Sequence, residues 1–278
     1  MATRKKKNPQ AEMSFLDHLE DLRWHLIRAT LSIVLVGIVA FLAKEFIFDV
    51  IIFGPKQADF ITYRILCDIA QFVGLQDSFC FDELPFKIQS RTMAGQFSAH
   101  VWTSITAGFV VAFPYVIYEF WKFISPGLLE NERKTARGFI FISSILFFIG
   151  VLFGYYVVTP LSINFLGSYT VSTEVSNEFD IGSYIGLVRS SVVASGLIFE
   201  LPIIIYLLTK IGLVTPDILR KYRKISLVIV LILSAIITPP DVVSQIIVAI
   251  PILILYEISI YISKVVVRNQ NRKANVKK

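Results

Sequence analysis

Charged residues are scarce in this sequence. Asp, Glu, Lys and Arg make up 17% of its 278 residues against 55% hydrophobic ones, and the mean hydropathy is +0.66. One soluble core of this size cannot hide so much apolar surface, so the composition excludes an ordinary soluble domain and calls for a bilayer. Catalytic signatures are missing too: there is no H-E-x-x-H pair, no Gly-rich phosphate loop and no G-x-S-x-G turn. The three histidines, His18, His25 and His100, lack metal-ligand spacing. Ser190, Ser191 and Ser195 have no histidine at matching depth on a neighbouring apolar run. We therefore expect no enzyme, no metal and no other cofactor. The formal net charge of +6 does not make a nucleic-acid binder, because the Lys and Arg residues lie between apolar runs and form no face with interleaved aromatics. No internal repeat is visible, which weighs against the many secondary transporters built from related halves.

What the chain does have is apolar runs, at about Ala29 to Phe48, Phe97 to Tyr118, Phe139 to Val158, Gly186 to Leu208, Ile225 to Ile237 and Val242 to Ile262. Most approach the roughly 20 residues of a spanning helix. The expected fold is therefore all-α: a polytopic membrane protein with six transmembrane helices. Cations mark the retained side of a membrane. Arg4, Lys5, Lys6, Lys7 and Arg23 precede the first run; Lys122, Arg133, Lys134 and Arg137 follow the second; Lys210, Arg220, Lys221, Arg223 and Lys224 follow the fourth; Lys264, Arg268, Arg272, Lys273, Lys277 and Lys278 follow the sixth. Thr159 to Tyr184 and Thr238 to Asp241 have none. Both termini are thus expected in the cytoplasm, with residues 1–13 and 265–278 as basic tails around one six-helix domain, 14–264. The first run has no small-residue cleavage site behind it and is expected to be a retained span.

The fifth run, roughly 13 residues or about 20 Å, is short for a hydrocarbon core near 30 Å. Either flanking residues such as Tyr222 and Lys224 snorkel, or the bilayer thins beside it. The longest outer segment, about Asp49 to Gln96, holds both cysteines, Cys67 and Cys80. An oxidising compartment permits a disulfide between them, and two free thiols are the other possibility.

Ser14 to Arg28 reads as an amphipathic helix lying along the cytoplasmic surface, with Phe15, Leu19, Leu22 and Leu26 at helical spacing. Its other side carries Asp17, Glu20, Asp21 and Arg23, either as local ion pairs such as Glu20 with Arg23 or as ligand-binding groups. After the second run, Trp121, Phe123, Pro126 and Gly127 mark a break, and Glu130, Glu132, Arg133 and Lys134 begin the next helix, where acids complement the dipole. If Glu132 and an acid near Asp21 converge, the site suits paired guanidinium groups, since each carboxylate accepts a two-pronged hydrogen bond. Inside the membrane stands Glu200, costing roughly 2.5 to 3.5 kcal/mol on insertion scales; it is a functional polar site or a protonated structural glutamate. Pro202 should bend the helix at that level. Arg189 is about three turns away and no local partner for Glu200. Thr238-Pro239-Pro240-Asp241 reads as a tight outer turn with Asp241 capping the last run, which Gln245 and Glu257 then punctuate.

Five motifs in register resemble the TatC family, the multispanning receptor subunit of the twin-arginine protein translocase, over about Ser14 to Lys264. They are Phe15-Leu16-Asp17-His18-Leu19-Glu20-Asp21-Leu22-Arg23, Pro114 through Trp121 into Phe123-Ile124-Ser125-Pro126-Gly127-Leu128, Glu132-Arg133, Phe199-Glu200-Leu201-Pro202, and Thr238-Pro239-Pro240-Asp241-Val242-Val243-Ser244-Gln245. The resemblance implies a plasma (inner) membrane protein that binds signal peptides with paired arginines. It would work in an oligomeric complex with small single-span partners of the TatA and TatB type, exporting folded proteins with the proton-motive force. The family's receptor acid falls on Glu132, followed by Arg133; its amino-terminal acid and arginine fall on Asp21 and Arg23, with Glu20 an alternative because the family usually has glutamate where Asp21 stands. Its intramembrane acid falls on Glu200 and its outer-loop proline on Pro55; Asp241 and Gln245 also match. Trp102 stands where several relatives have lysine and is assigned nothing. The competing class is a proton-coupled secondary transporter or channel, in which Glu200 would be the coupling site.

Overall fold

The computed structural model describes residues 15–73, 80, 86–124, 136–172 and 174–276. Its long elements are α1 (Phe15–Leu42), α3 (Gly95–Ile124), α4 (Ala136–Phe153) continued by α5 (Thr159–Ser168), α6 (Ile181–Phe199) continued by α7 (Leu201–Lys210), α9 (Arg223–Ile237) and α10 (Val242–Val276). Shorter ones are α2 (Ile61–Val73), α8 (Pro216–Lys221) and the strands β1 (Lys87–Gln89) and β2 (Glu178–Asp180), paired in parallel. Contacts fix the helix directions. His25 meets Glu119 and Phe41 stacks on His100, so α1 and α3 point opposite ways; Gln245 bonds Leu231 O and Glu257 pairs with Arg223, so α9 opposes α10, whereas Thr209 bonds Ser263 and Gln270 bonds Lys210 O, so α7 runs parallel to α10. The bundle thus has a terminal face, where α1 starts and α10 ends, and a loop face, which carries α2 and the two strands.

Five stretches are long and apolar enough to cross a bilayer: Leu19–Leu42, Gly95–Ile124, Gly138–Ser168, Ile181–Lys210 and Val242–Arg272. The short run is α9, whose 15 residues extend about 22 Å, below the roughly 30 Å of a hydrocarbon core. Large apolar side chains point outward all round, among them Leu31, Val39, Ile229 and Ile236, as a lipid environment requires and water forbids. The fold is that of a multi-pass helical membrane protein.

Three expectations need correction. The amphipathic segment Ser14 to Arg28 is not a separate surface helix: from Phe15 it is continuous with the first span, because no Gly or Pro interrupts the pattern before Gly37. The outer segments are also more structured than a reading of hydropathy suggests. Span three runs ten residues further through α5, and the loop after span one contains α2. The last helix likewise extends through Val276, well past the end of its apolar run, since the basic stretch has no breaker.

With lipid outside, helices associate by close packing at small residues. A β-carbon built on Gly108 of α3 would lie 2.4 Å from the Ile33 carbonyl oxygen and 2.9 Å from the Gly37 Cα of α1, so these backbones touch. Gly150 and Gly154, one turn apart, meet Ser195 and Ser191 of α6 in the same way, each hypothetical β-carbon falling 2.6 Å from a serine carbonyl oxygen.

Span three is broken by a π-type turn, Gly154–Val158, ahead of Pro160. Proline has no N–H to offer the Tyr156 carbonyl four residues back. The Thr62 hydroxyl of α2 donates to that carbonyl instead, and Thr159 Oγ1 donates to Gly154 O at 2.8 Å. Three tyrosines hold the irregular backbone after α1 in a similar manner. Tyr155 Oη donates to Ile51 O (2.7 Å), Tyr184 Oη to Ile52 O (2.9 Å), and Tyr63 Oη lies 3.0 Å from Pro55 O and 3.1 Å from Pro160 O.

Gly154→Val should therefore lower the thermal midpoint of the purified protein by the equivalent of about 1–3 kcal/mol. Gly138→Ala, where a β-carbon meets nothing within 4 Å, should not lower it; a temperature ramp followed by size-exclusion chromatography reads both.

Candidate functional site

The terminal face gathers the charged groups of α1. Glu20, Asp21 and Arg23 are all exposed. None of them has an ion pair or hydrogen bond among the described residues, so the expected Glu20–Arg23 pair does not form. Two carboxylates and a guanidinium are therefore exposed with no partner among the described residues. Glu132 and Arg133, with the break at Pro126 and Gly127, lie outside the described residues.

A carboxylate the sequence reading passed over stands beside this face. Glu119 lies about one and a half turns before the end of α3 and is only 2% exposed. A negative charge near a helix C-terminus opposes the macrodipole and needs cations or donors to hold it. They come from α1: His25 Nδ1 is 2.5 Å from Glu119 Oε2, and Arg28 is 3.9 Å from the same oxygen. Its position was legible in one respect. Ser104, Gly108 and Ala112, all buried, form a stripe of small residues facing α1, and two further turns along that stripe lead to Glu119. Next to it, buried Trp121 packs on Phe139 of α4, ring centres 4.3 Å apart.

Glu200 sits at the junction where α6 ends and α7 begins, 6% exposed. Pro202 in the first turn of α7 gives the expected break. The partner missing from the sequence reading is Ser143 of α4, whose hydroxyl donates to Glu200 Oε2 at 2.6 Å. Glu200 Oε1 is buried with no partner among the described residues. One oxygen of an intramembrane carboxyl is thus held and the other is unused, which leaves it able to bond an incoming polar group.

The remaining positions are on the loop face. Pro55 is buried in a short 3₁₀ turn, Gly54–Lys56, with its carbonyl bonded to Tyr63. Cys67 of α2 and Cys80 are joined in a disulfide, Cα atoms 4.9 Å apart. Asp241 caps α10, accepting from Ser244 N–H (2.8 Å), Ser244 Oγ (2.6 Å) and Val243 N–H (3.2 Å). Burial pushes its carboxyl up, but these bonds outweigh burial and hold it below the usual aspartate range. Gln245 Nε2 donates to Leu231 O at 3.0 Å, so it fastens α10 to α9. Away from that face, toward the terminal end, Glu257 pairs with Arg223 at 2.6 Å and joins α10 to the start of α9. None of these loop-face groups is near α1's acids, which lie at the opposite end of the bundle.

Comparison with known proteins agrees over nearly the whole chain. Residues 17–251 match the family model described as Sec-independent protein translocase protein (TatC). The chain is 45% identical over 258 residues to the TatC of Blattabacterium sp. subsp. Periplaneta americana, covering 92% of this chain and 97% of the relative. It is 33% identical to TatCy of Bacillus subtilis, covering 98% and 96%. Among solved structures, a twin-arginine translocase receptor TatC crystallised in DDM superposes with a TM-score of 0.68 at 31% identity, covering 88% of this chain and 99% of that one.

Replacing Glu119 with leucine strands the His25 donor and should destabilise the fold by about 1–3 kcal/mol, read as a lower chemical-denaturation midpoint in detergent. Glu119→Gln, which can still accept a hydrogen bond, should recover part of that loss; an unchanged midpoint for the leucine variant would show that the buried contact contributes nothing.

Proposed function

As the chain belongs to the TatC family of Sec-independent protein translocase proteins, we propose that within the translocase it is the subunit that captures signal peptides carrying paired arginines. It is a multi-pass membrane component of a protein translocase and not a catalytic enzyme. The observation that carries the finer reading is the exposed set Glu20, Asp21 and Arg23 on the terminal face, without partners among the described residues. A guanidinium binds a carboxylate through two parallel N–H···O bonds, and two adjacent arginines need two such acceptors. Asp21 or Glu20 supplies one and Glu132 the other, with Arg23 and Arg133 limiting excess negative charge. Lysine, a point charge without the planar fork, satisfies the same pocket less well.

The rest of the proposal follows the membrane chemistry. Both termini face the cytoplasm across the plasma membrane, and α9 acts as a short sixth span. Glu200, with one oxygen free inside the bundle, receives a polar group from the deeply inserted signal peptide or from the span of a small partner subunit. Those partners, of the TatA and TatB type, complete an oligomeric complex, and export of folded cargo draws on the proton-motive force.

Two measurements test this reading. Glu132→Ala, and Glu20→Ala with Asp21→Ala, should each reduce crosslinking of a twin-arginine signal peptide to near background while the protein stays inserted, and a paired-lysine peptide should crosslink poorly to the unaltered chain. Undiminished crosslinking in both variants would falsify the acidic site. Glu200→Leu should stop export of folded cargo; normal export, or transport of a small solute by this chain alone in liposomes, would transfer Glu200 to a different role.

A further inference from the structure

On the loop face, a cavity of about 340 Å³ lies between the start of α3 and the outer part of α6. Thr92, Ser98, Trp102, Asp180, Ile185 and Arg189 are among its lining residues. Arg189 is the unusual member. It stands eight residues inside span four, about 12 Å along the helix from Ile181. Its Nε is buried and bonds nothing, and its guanidinium has no ion pair or hydrogen bond among the described residues.

The carboxylate in the same cavity does not relieve it. Asp180 caps α6: its Oδ2 accepts from Gly182 N–H at 2.9 Å and its Oδ1 from Arg91 N–H at 3.1 Å. Arg91 also anchors this corner by donating to Glu178 O at 2.7 Å. An arginine at membrane depth is tolerated when it reaches an anion or water at the interface. In this leaflet the bilayer itself supplies the anion, as the phosphodiester of its lipids. The rest of the cavity suits the same ligand. α3 begins at Gly95 in its wall; the Gly95 and Ser98 N–H groups are bonded to Thr92 O and Ala94 O, so what the helix start adds there is the positive end of its dipole, which favours phosphate oxygens. Thr92 and Ser98 are exposed and place hydroxyls in the lining. Phe97 and Trp102 of α3 are exposed beside it, offering apolar surface to acyl chains and an aromatic ring at the interface.

We propose that this cavity is a phospholipid site in which Arg189 binds the headgroup phosphodiester, with the Thr92 and Ser98 hydroxyls completing its hydrogen bonds. The volume is near the lower end of the roughly 300–1,000 Å³ range of small-ligand clefts, sufficient for a headgroup with its chains left outside. This site lies at the opposite end of the bundle from the acids of α1 and does not depend on how signal peptides are bound.

The test is native mass spectrometry of the full-length protein in detergent, titrated with phosphatidylglycerol, with diacylglycerol of the same chains and with inorganic phosphate. One phosphatidylglycerol should bind more tightly than the rest. Arg189→Gln should weaken that lipid roughly tenfold, the effect of losing a charge-assisted hydrogen-bonding partner, while Arg189→Lys retains most of the affinity. Ser98→Trp, which fills the cavity from an exposed position and leaves Arg189 intact, should weaken it as well. Diacylglycerol should not displace the lipid, and inorganic phosphate should bind at least tenfold more weakly. Equal lipid retention by the unaltered chain and Arg189→Gln, or displacement by diacylglycerol, overturns the proposal; saturation by inorganic phosphate without lipid replaces it with a soluble-anion site. Should Arg189→Gln fail to fold, the competition series on the unaltered chain and the Ser98→Trp variant decide the matter alone.

Discussion

Hydrocarbon offers the polypeptide no hydrogen bonds, and the rest of this structure depends on that constraint. Wherever a spanning helix is interrupted, its freed carbonyls must be claimed by something else in the chain. Pro160 releases Tyr156 O, and Thr62 of α2 takes it. The backbone after α1 leaves the helical ladder at Ile51, Ile52 and Pro55, and three tyrosine hydroxyls reach it from α2, the third span and α6. At the other end of the bundle, Gln270 of α10 donates to Lys210 O at the end of α7, and the Tyr256 hydroxyl to Leu219 O. Several polar residues of this apolar protein are therefore placed at the ends and breaks of its helices.

The same logic explains how much could be read in advance. Apolar runs are a one-dimensional signal, and the five long spans and the weak fifth run were visible in the sequence to within several residues. What hydropathy does not register is helix that continues into polar surroundings: α5 and the last third of α10 are helical because tertiary contacts and the absence of breakers keep them so, and α2, though amphipathic, is too short and too polar to stand out as a span. The surface helix expected before the first span failed for a related reason. Amphipathic spacing from Phe15 to Leu26 says which side is apolar, but a bend requires a backbone break, and none is present.

Of the candidate site, the acids of α1 and the intramembrane carboxyl stand out in the sequence because charge is rare here. Their partners do not. Ser143 is one of several serines in apolar runs, and only the packing of α4 on α6, set by Gly150 and Gly154 against Ser195 and Ser191, brings it to Glu200. Glu119 was missed because its neighbours in sequence, Tyr118 and Phe120, suggest an interfacial position, whereas its burial is decided by α1 across the interface. Charges met by partners inside the bundle and the exposed Glu20, Asp21 and Arg23 of α1 are thus two populations. The first fixes how helices meet, and the second has no partner among the described residues.

The length of α10 has a consequence for how the molecule rides in its bilayer. Thirty-five helical residues extend about 52 Å, roughly 20 Å more than the hydrocarbon is thick, and the Asp241 cap pins one end at the loop face. The surplus must emerge on the far side, where Lys264, Arg268 and Arg272 lie along it. An overhang of fixed length carrying cations behaves as a keel: sinking drags charge into oil, rising pulls the capped hairpin in after it, and vertical travel is penalised in both directions. Whatever passes beside this helix must deform lipid or shift sideways, because the helix itself holds its depth.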